Sequence, residues 1–80
     1  MLNLMIKIIQ CESSFNSNAV GLAGEIGLAQ FMPKTWELFN KERGTDFDIK
    51  NDLDQINMLA WGLENGKGKH WTCYRLLTSI

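Results

Sequence analysis

The chain has 80 residues, of which 45% are hydrophobic and 21% charged, and a formal net charge of −1, so we expect a single domain over residues 1–80 with a thin core. Scattered lysines and arginines exclude duplex nucleic acid as an expected partner, because phosphate binding needs a concentrated basic patch. No stretch approaches the length of apolar sequence that a membrane-spanning helix needs, so no membrane span is expected.

The first ten residues resemble a secretion signal in their apolar character. They lack a basic leading region and a small-residue cleavage site, so no signal peptide is recognisable in this chain. Apolar residues at helical spacing instead predict a first helix that runs to about Ser14. We therefore expect that the chain is exported by another route or is a piece of a larger protein.

Glu12 lies on the apolar side of this predicted helix. Its neighbours one and two turns back are Met5, Ile8 and Ile9. A carboxyl group among apolar side chains loses hydration, so its pKa is expected to rise. A carboxyl group that keeps its proton near neutral pH can serve as a general acid. For an isolated glutamate, the simpler interpretation is that it marks the polar edge of the helix.

An irregular loop and a second helix are predicted next. Residues 16–27 hold three glycines and two asparagines, which are typical of an irregular connection or a short hairpin. Pro33 suits a first helical position, and the following residues 34–43 carry a helical pattern. Gly44 is expected to end that helix.

Two more helices are predicted in the second half of the chain. Asp52, followed three residues later by Gln55, predicts a capping box at the start of a third helix. That helix is expected to stop around residues 65–66. Gly68 then breaks the chain, and a short last helix is predicted to begin near Trp71.

The two cysteines, Cys11 and Cys73, lie near opposite ends of the chain. They could be free thiols, part of a metal site or a disulfide. A metal site is not expected, because the chain has one histidine and no closely spaced cysteines. A disulfide closing so long a loop would contribute about 4 kcal/mol in the chain-entropy model. We favour the disulfide, which implies an oxidising compartment.

The most informative pattern spans residues 12–33. It reads Glu12-Ser13-x-Phe15-x3-Ala19-x4-Gly24-x2-Gly27-Leu28-x-Gln30-x-Met32-Pro33, where x is any residue. This pattern resembles the catalytic signature of the soluble lytic transglycosylase (SLT) domain family, which belongs to the lysozyme-like superfamily and includes short phage-associated and secreted members. The resemblance is specific, because many positions agree in both type and spacing without a gap.

The resemblance implies a mainly α fold, namely a small lysozyme-like helical domain with a glycine-rich active-site loop or short hairpin. It also implies a peptidoglycan-degrading enzyme that cleaves the β-1,4 bond between N-acetylmuramic acid and N-acetylglucosamine. In this family one carboxylic acid protonates the leaving oxygen. The resulting carboxylate then removes the proton of the 6-hydroxyl group, which closes a 1,6-anhydro ring without water. Glu12 matches that single acid/base.

Partners and location also follow from the resemblance. The expected partner is the glycan strand of peptidoglycan, bound without a cofactor or metal. The expected location is extracellular, periplasmic or virion-associated. The chain would act as a monomer or as part of a larger assembly.

Candidate substrate-binding residues lie in and beyond the motif. Hydrogen bonds to sugar hydroxyls and to the N-acetyl group are expected from Ser13 and Gln30, and Met32 is a further candidate contact. Exposed aromatic rings can stack on sugar faces, and the candidates are Phe31, Trp61, Trp71 and Tyr74. Core packing is the alternative for every aromatic residue, and it is the favoured interpretation for Trp36 and Trp61.

The sequence also departs from the family pattern. Ser17, Gly21, Glu25 and Ala29 stand where Pro, Ser, Ala and Met are common in the family. The Tyr-Asn-x-Gly motif, whose tyrosine helps to position the catalytic acid, is not recognisable. Whether Trp61 or Tyr74 replaces that tyrosine is left open by the sequence.

Two other functions compete with transglycosylation. A hydrolytic lysozyme that inverts would need a second carboxylate about 6.5–9.5 Å from the first. Glu25 is the first candidate, because goose-type lysozymes place candidate acids in this loop, and Asp46 and Asp48 are further options. A solvated surface charge is the simpler interpretation of each. The other competitor is a non-catalytic glycan-binding or virion structural module, which the missing tyrosine motif favours and the retained Glu12 opposes.

Overall fold

Four α-helices carry the fold of residues 1–79, the part of the chain that the computed structural model describes. They are α1 (Leu2–Ser13), α2 (Pro33–Arg43), α3 (Asp52–Glu64) and α4 (Thr72–Thr78). A short 3₁₀ turn, Gly68–His70, precedes α4. The predicted fold class, a small and mainly α domain, is confirmed, and its dimensions are 34 × 26 × 21 Å.

The ends of α2 and the position where α3 begins follow the prediction, whereas the capping of α3 does not. Pro33 opens α2, and Gly44, with φ of 71°, ends it. The predicted capping box of Asp52 and Gln55 is wrong. Asn51 caps α3 instead, and its side chain accepts the backbone N–H of Asp54 at 3.0 Å. The physical reason is that the Gln55 side chain points into the core and is used there.

The core is filled by residues of α1, α2, α3 and the segment just before α2, and aromatic rings dominate its centre. The ring of Phe31 meets those of Trp36 and Trp71 edge-on, with centroid distances of 4.8 and 5.4 Å. Edge-on contacts add to the stabilisation that buried area gives. Trp36, assigned to the core from the sequence, is 4% exposed. Large rings thus compensate for the small size of the domain.

The glycine-rich loop contains two isolated antiparallel bridges rather than extended strands. Ile26 pairs with Val20 on one side and with Phe31 on the other. Backbone hydrogen bonds of 2.9 and 3.0 Å join Ile26 and Phe31 in both directions. The predicted short hairpin is therefore present only as these two bridges. Other backbone N–H and C=O groups of the loop form hydrogen bonds elsewhere.

Gln55, near the start of α3, supplies the partner for two of these backbone groups and for one group of the segment before α3. Its Oε1 accepts the backbone N–H of Ala29 at 2.9 Å, and its Nε2 donates to the carbonyl oxygens of Ile26 and Ile49 at 2.9 and 2.7 Å. The side chain is 1% exposed. A Cβ at Gly27 would collide with the Gln55 amide, so glycine is required there. One buried amide thus joins α3 to the loop.

The two cysteines form a bridge between α1 and α4. Cys11 lies in the last turn of α1 and Cys73 in the first turn of α4, and the structure joins them through a disulfide with a Cα–Cα distance of 6.0 Å. This distance is typical of disulfides. The bridge closes a separation of 62 residues, so nearly the whole domain lies inside the loop.

Replacing Gln55 with leucine is expected to lower the free energy of unfolding by at least about 3 kcal/mol, because the buried N–H of Ala29 and two carbonyl groups lose their partner. Urea unfolding followed by tryptophan fluorescence measures this loss. Asn57→Leu is the matched control. Asn57 is exposed on the same helix and donates only to Leu53 within α3, so its effect should stay within about 0.5 kcal/mol. Equal effects of the two substitutions would contradict this account of the loop.

Candidate active site

A cleft opens between the end of α1, the glycine-rich loop and the start of α4. Its volume is about 200 Å³. The residues that line it are Glu12, Ala23, Glu25, Gln30, Phe31, Met32, Thr35, His70, Trp71 and Thr72. Residues of α1, the glycine-rich loop, α2, the 3₁₀ turn and α4 therefore meet at this cleft.

The Glu12 carboxyl group stands at the end of α1 on the wall of this cleft. It is half-buried, and its Oε2 accepts the backbone N–H of Cys73 at 3.2 Å. Burial raises the pKa of Glu12 above its usual value, the N–H of Cys73 opposes this, and the charge of Glu25 adds to it. The net direction is upward, as the apolar helix face predicts. This carboxyl group is suited to donate a proton.

Ser13 holds the loop against α1. Its hydroxyl group donates to the carbonyl oxygen of Leu28 at 2.7 Å, and the carbonyl oxygen of Ile9 lies 3.3 Å away. Ser13 is not among the residues that line the cleft. Because its one hydroxyl proton is used within the protein, Ser13 is placed to position Glu12 and the loop rather than to donate to a sugar.

Gln30 lines the cleft with its side chain held in a defined orientation. Its Nε2 donates to the carbonyl oxygens of Ala19 and Gly27 at 3.1 and 2.8 Å. The backbone adopts a φ of 51°, which is uncommon for a residue with a side chain. Both amide protons are thus engaged, and Oε1 is left as an acceptor for a hydroxyl or amide hydrogen of a ligand.

The Glu25 side chain lies over Gly21, on the same side of the cleft as Gln30. The Glu25 carboxylate accepts the backbone N–H of Ala23 at 2.8 Å. A Cβ at Gly21 would lie 2.6 Å from Glu25 Oε1 and 2.8 Å from Gln30 Oε1, so a side chain at position 21 would displace one of them. The absence of a side chain at Gly21 therefore leaves room for the Glu25 carboxylate, which lines the cleft as a second carboxylate.

The aromatic candidates are not exposed stacking surfaces. Phe31 and Trp71 are each 2% exposed and form the floor of the cleft, with their faces used in the core. Tyr74 does not line the cleft, because its ring packs over Gly68. Trp61 lies against Phe39 and Arg43. Of the predicted apolar contacts, Met32, which is 39% exposed, is the one at the cleft rim.

The remaining carboxylate candidates lie elsewhere. Neither Asp46 nor Asp48 lines the cleft. The Asp48 carboxylate accepts the backbone N–H of Lys50 at 2.9 Å and so shapes the turn before α3. The idea that either residue is a second acid is not supported by its position.

Sequence reasoning missed four residues of the cleft: Ala23, Thr35, His70 and Thr72. His70 is the one histidine of the chain, and its ring meets that of Phe39 edge-on at 5.3 Å. That it is the one histidine of the chain is the only feature of the sequence that could have marked His70 as a candidate site residue. The 3₁₀ turn brings His70 opposite the motif, which local sequence patterns do not reveal.

Residues 1–79 contain neither a cluster of metal-ligating side chains nor a helix suited to span a membrane. No group of three or more His, Cys, Asp or Glu side chains is arranged to hold a metal ion in this part of the chain. None of the helices described has both the length and the apolar character needed to cross a membrane.

The fold and cleft together define a small lysozyme-like helical domain with a half-buried carboxyl group at its site. The family model described as Transglycosylase SLT domain matches residues 1–73, and the chain belongs to this family. All residues that line the cleft lie within the matched range. No curated protein and no solved structure matches the chain. Membership in this family indicates a transglycosylase-type enzyme that acts on peptidoglycan.

Glu12→Gln is expected to change how stability depends on pH. An ordinary glutamate has a pKa of 4.5, and the folded state raises the pKa of Glu12 above this. Above pH 4.5 the unfolded chain loses its proton first, so ionisation of Glu12 lowers wild-type stability as pH rises through the folded pKa. Glutamine has no such titration.

Urea unfolding of both proteins between pH 4 and pH 8 measures this difference. The stability of the variant relative to wild type is expected to increase towards pH 8. A constant difference, or one that falls with pH, would contradict the raised pKa.

Proposed function

We propose that this domain cleaves the β-1,4 bond between N-acetylmuramic acid and N-acetylglucosamine in peptidoglycan and forms 1,6-anhydro ends. The observation that carries the proposal is the Glu12 carboxyl group, half-buried in a cleft built from the SLT motif, with its pKa raised by burial. A raised pKa keeps the proton available at the pH where the leaving oxygen needs it.

In the first step Glu12 donates its proton to the glycosidic oxygen. The bond between that oxygen and C1 of the muramic acid breaks, and the 4-hydroxyl of N-acetylglucosamine leaves. Positive charge at C1 is shared with the acetamido group of the same sugar. The N–H of Cys73, 3.2 Å from Oε2, stabilises the carboxylate that Glu12 becomes.

In the second step the Glu12 carboxylate takes the proton of the 6-hydroxyl group as that oxygen bonds to C1. The 1,6-anhydro ring closes, and Glu12 is protonated again. One carboxyl group therefore completes the cycle, and no water is consumed.

Substrate contacts are proposed for the opposite wall of the cleft. Gln30 Oε1 is oriented to accept a hydroxyl or acetamido hydrogen, since its Nε2 is engaged with the backbone. Met32 offers an apolar rim. The disulfide and the wall substrate together favour a location outside the cytoplasm: extracellular, periplasmic or virion-associated.

Hydrolysis is the second candidate, because Glu25 lines the same cleft and its charge raises the pKa of Glu12. In that reaction Glu25 would take a proton from a water that attacks C1 from the other face of the sugar. The hydrogen bond from the Ala23 N–H would hold the Glu25 side chain in place for this role.

Glu12→Gln is expected to reduce the release of soluble muropeptides by about 10²–10⁴-fold, because the amide cannot donate the proton. Turbidity clearance of purified peptidoglycan sacculi and chromatography of the products measure this loss. Glu37→Gln on the exposed side of α2 is the control and is expected to act like wild type. Clearance by Glu12→Gln at the wild-type rate would reject Glu12 as the acid.

Digestion in H₂¹⁸O separates the two reactions. Transglycosylation gives anhydromuropeptides that are lighter by one water and carry no label, whereas hydrolysis gives reducing ends with ¹⁸O at C1. We expect unlabelled anhydro ends by mass spectrometry. Labelled reducing ends that disappear in Glu25→Gln would instead establish the hydrolytic reaction.

A further inference from the structure

The Tyr-Asn-x-Gly motif, whose tyrosine positions the acid in the family, is not recognisable in this sequence, and within residues 1–79 neither Trp61 nor Tyr74 forms a hydrogen bond with Glu12. Trp61 packs against Phe39, and its ring lies 5.6 Å from the Arg43 guanidinium carbon. Tyr74 packs over Gly68. Within residues 1–79, the hydrogen bond to the Glu12 carboxylate comes from the backbone N–H of Cys73.

Cys73 is tied to Glu12 in two ways. Its N–H reaches Glu12 Oε2 at 3.2 Å, and its sulfur is bonded to Cys11, the residue immediately before Glu12. The hydrogen bond and the covalent bridge therefore act between the same two turns. Both therefore oppose a motion that separates α4 from the end of α1.

The start of α4 depends on such anchors. With 7 residues, α4 (Thr72–Thr78) is too short to be stable by itself. Trp71 holds its other side, since the indole N–H donates to the carbonyl oxygen of Ala29 at 3.0 Å and the ring lies over Gly62. The disulfide and Trp71 thus fix the position of the Cys73 N–H.

We propose that the backbone N–H of Cys73, held in place by the Cys11–Cys73 disulfide, is the positioning group for the Glu12 carboxyl and takes the place of the family tyrosine. The proposal rests on the proposed role of Glu12. A backbone N–H is only a donor and does not titrate, so it favours the carboxylate. It fixes the carboxylate that removes the proton of the 6-hydroxyl group.

The oxidised disulfide is then required for full activity. Dithiothreitol reduces the bridge by supplying two electrons and two protons. The Cys11 and Cys73 sulfurs become thiols, and dithiothreitol becomes its cyclic disulfide. Without the bridge, the start of α4 keeps the anchor at Trp71 but loses the one at Cys73, so the Cys73 N–H can shift relative to Glu12. A displacement on the order of 1 Å can cost about 10²-fold in rate.

The hydrogen bond itself is tested by NMR, independently of activity. In the ¹⁵N-labelled oxidised domain, the Cys73 amide proton should shift with pH in one step whose midpoint lies above 4.5, the usual pKa of a glutamate. Glu12→Gln should abolish that step, while Glu25→Gln should retain it. A Cys73 amide that does not titrate, or that titrates equally in Glu12→Gln, would overturn the proposal.

The contribution to catalysis is tested with the variant Cys11→Ser/Cys73→Ser and with dithiothreitol-treated wild type, assayed on soluble glycan strands. Both are expected to lose about 10²-fold in kcat with a much smaller change in KM, and dithiothreitol should not affect the double variant further. Circular dichroism and tryptophan fluorescence identify conditions in which each stays folded.

A folded double variant with wild-type kcat would overturn the proposal. If the variant fails to fold, the NMR titration decides. An error in the proposed function has a different signature: the oxidised wild type would be inactive or Glu12→Gln active, while the Cys73 amide still titrates with Glu12.

Discussion

The cleft depends on the buried side-chain amide of Gln55, which forms hydrogen bonds with backbone groups of the glycine-rich loop. Within residues 16–32 the loop has two isolated bridges, so many of its backbone groups need partners elsewhere. Gln55 provides two of them from α3, for the N–H of Ala29 and the carbonyl oxygen of Ile26, and also binds the carbonyl oxygen of Ile49. Gly27 lets the backbone approach that amide. The contact of Gln55 with Ile26 and Ala29 fixes residues 26–29 against the core. Glu25 and Gln30 flank these residues and line the cleft.

The side of the cleft formed by Trp71 and α4 is held by a different kind of constraint. Here the disulfide and the indole of Trp71 hold a helix that is too short to be stable alone. Glu12 lines the cleft at the end of α1, between the glycine-rich loop and α4, and its pKa is subject to opposing effects. Burial and the charge of Glu25 favour the protonated form, while the N–H of Cys73 favours the carboxylate. In the proposed reaction Glu12 both gives and takes a proton, and such a balance suits that role.

Much of the fold could be predicted from local patterns. Helical spacing gave the extent of α1, and Pro33 and Gly44 gave the ends of α2, because these signals act within a few residues. The cap of α3 was predicted incorrectly, because Gln55 fits the local capping pattern while its side chain is used by the N–H of Ala29 and the carbonyl groups of Ile26 and Ile49. Tertiary contact decided between two plausible hydrogen-bonding patterns.

The sequence by itself determined the helical class, through helical spacing along the chain, and the family, through one short motif in which Glu12 is predicted to be the acid. Only the tertiary structure decided what surrounds Glu12. The N–H of Cys73 comes from 61 residues away, and His70 reaches the cleft through the 3₁₀ turn. The space over Gly21 filled by Glu25 is likewise visible only in the folded loop. Such contacts depend on how elements pack, and packing between distant residues leaves no periodic pattern in the chain.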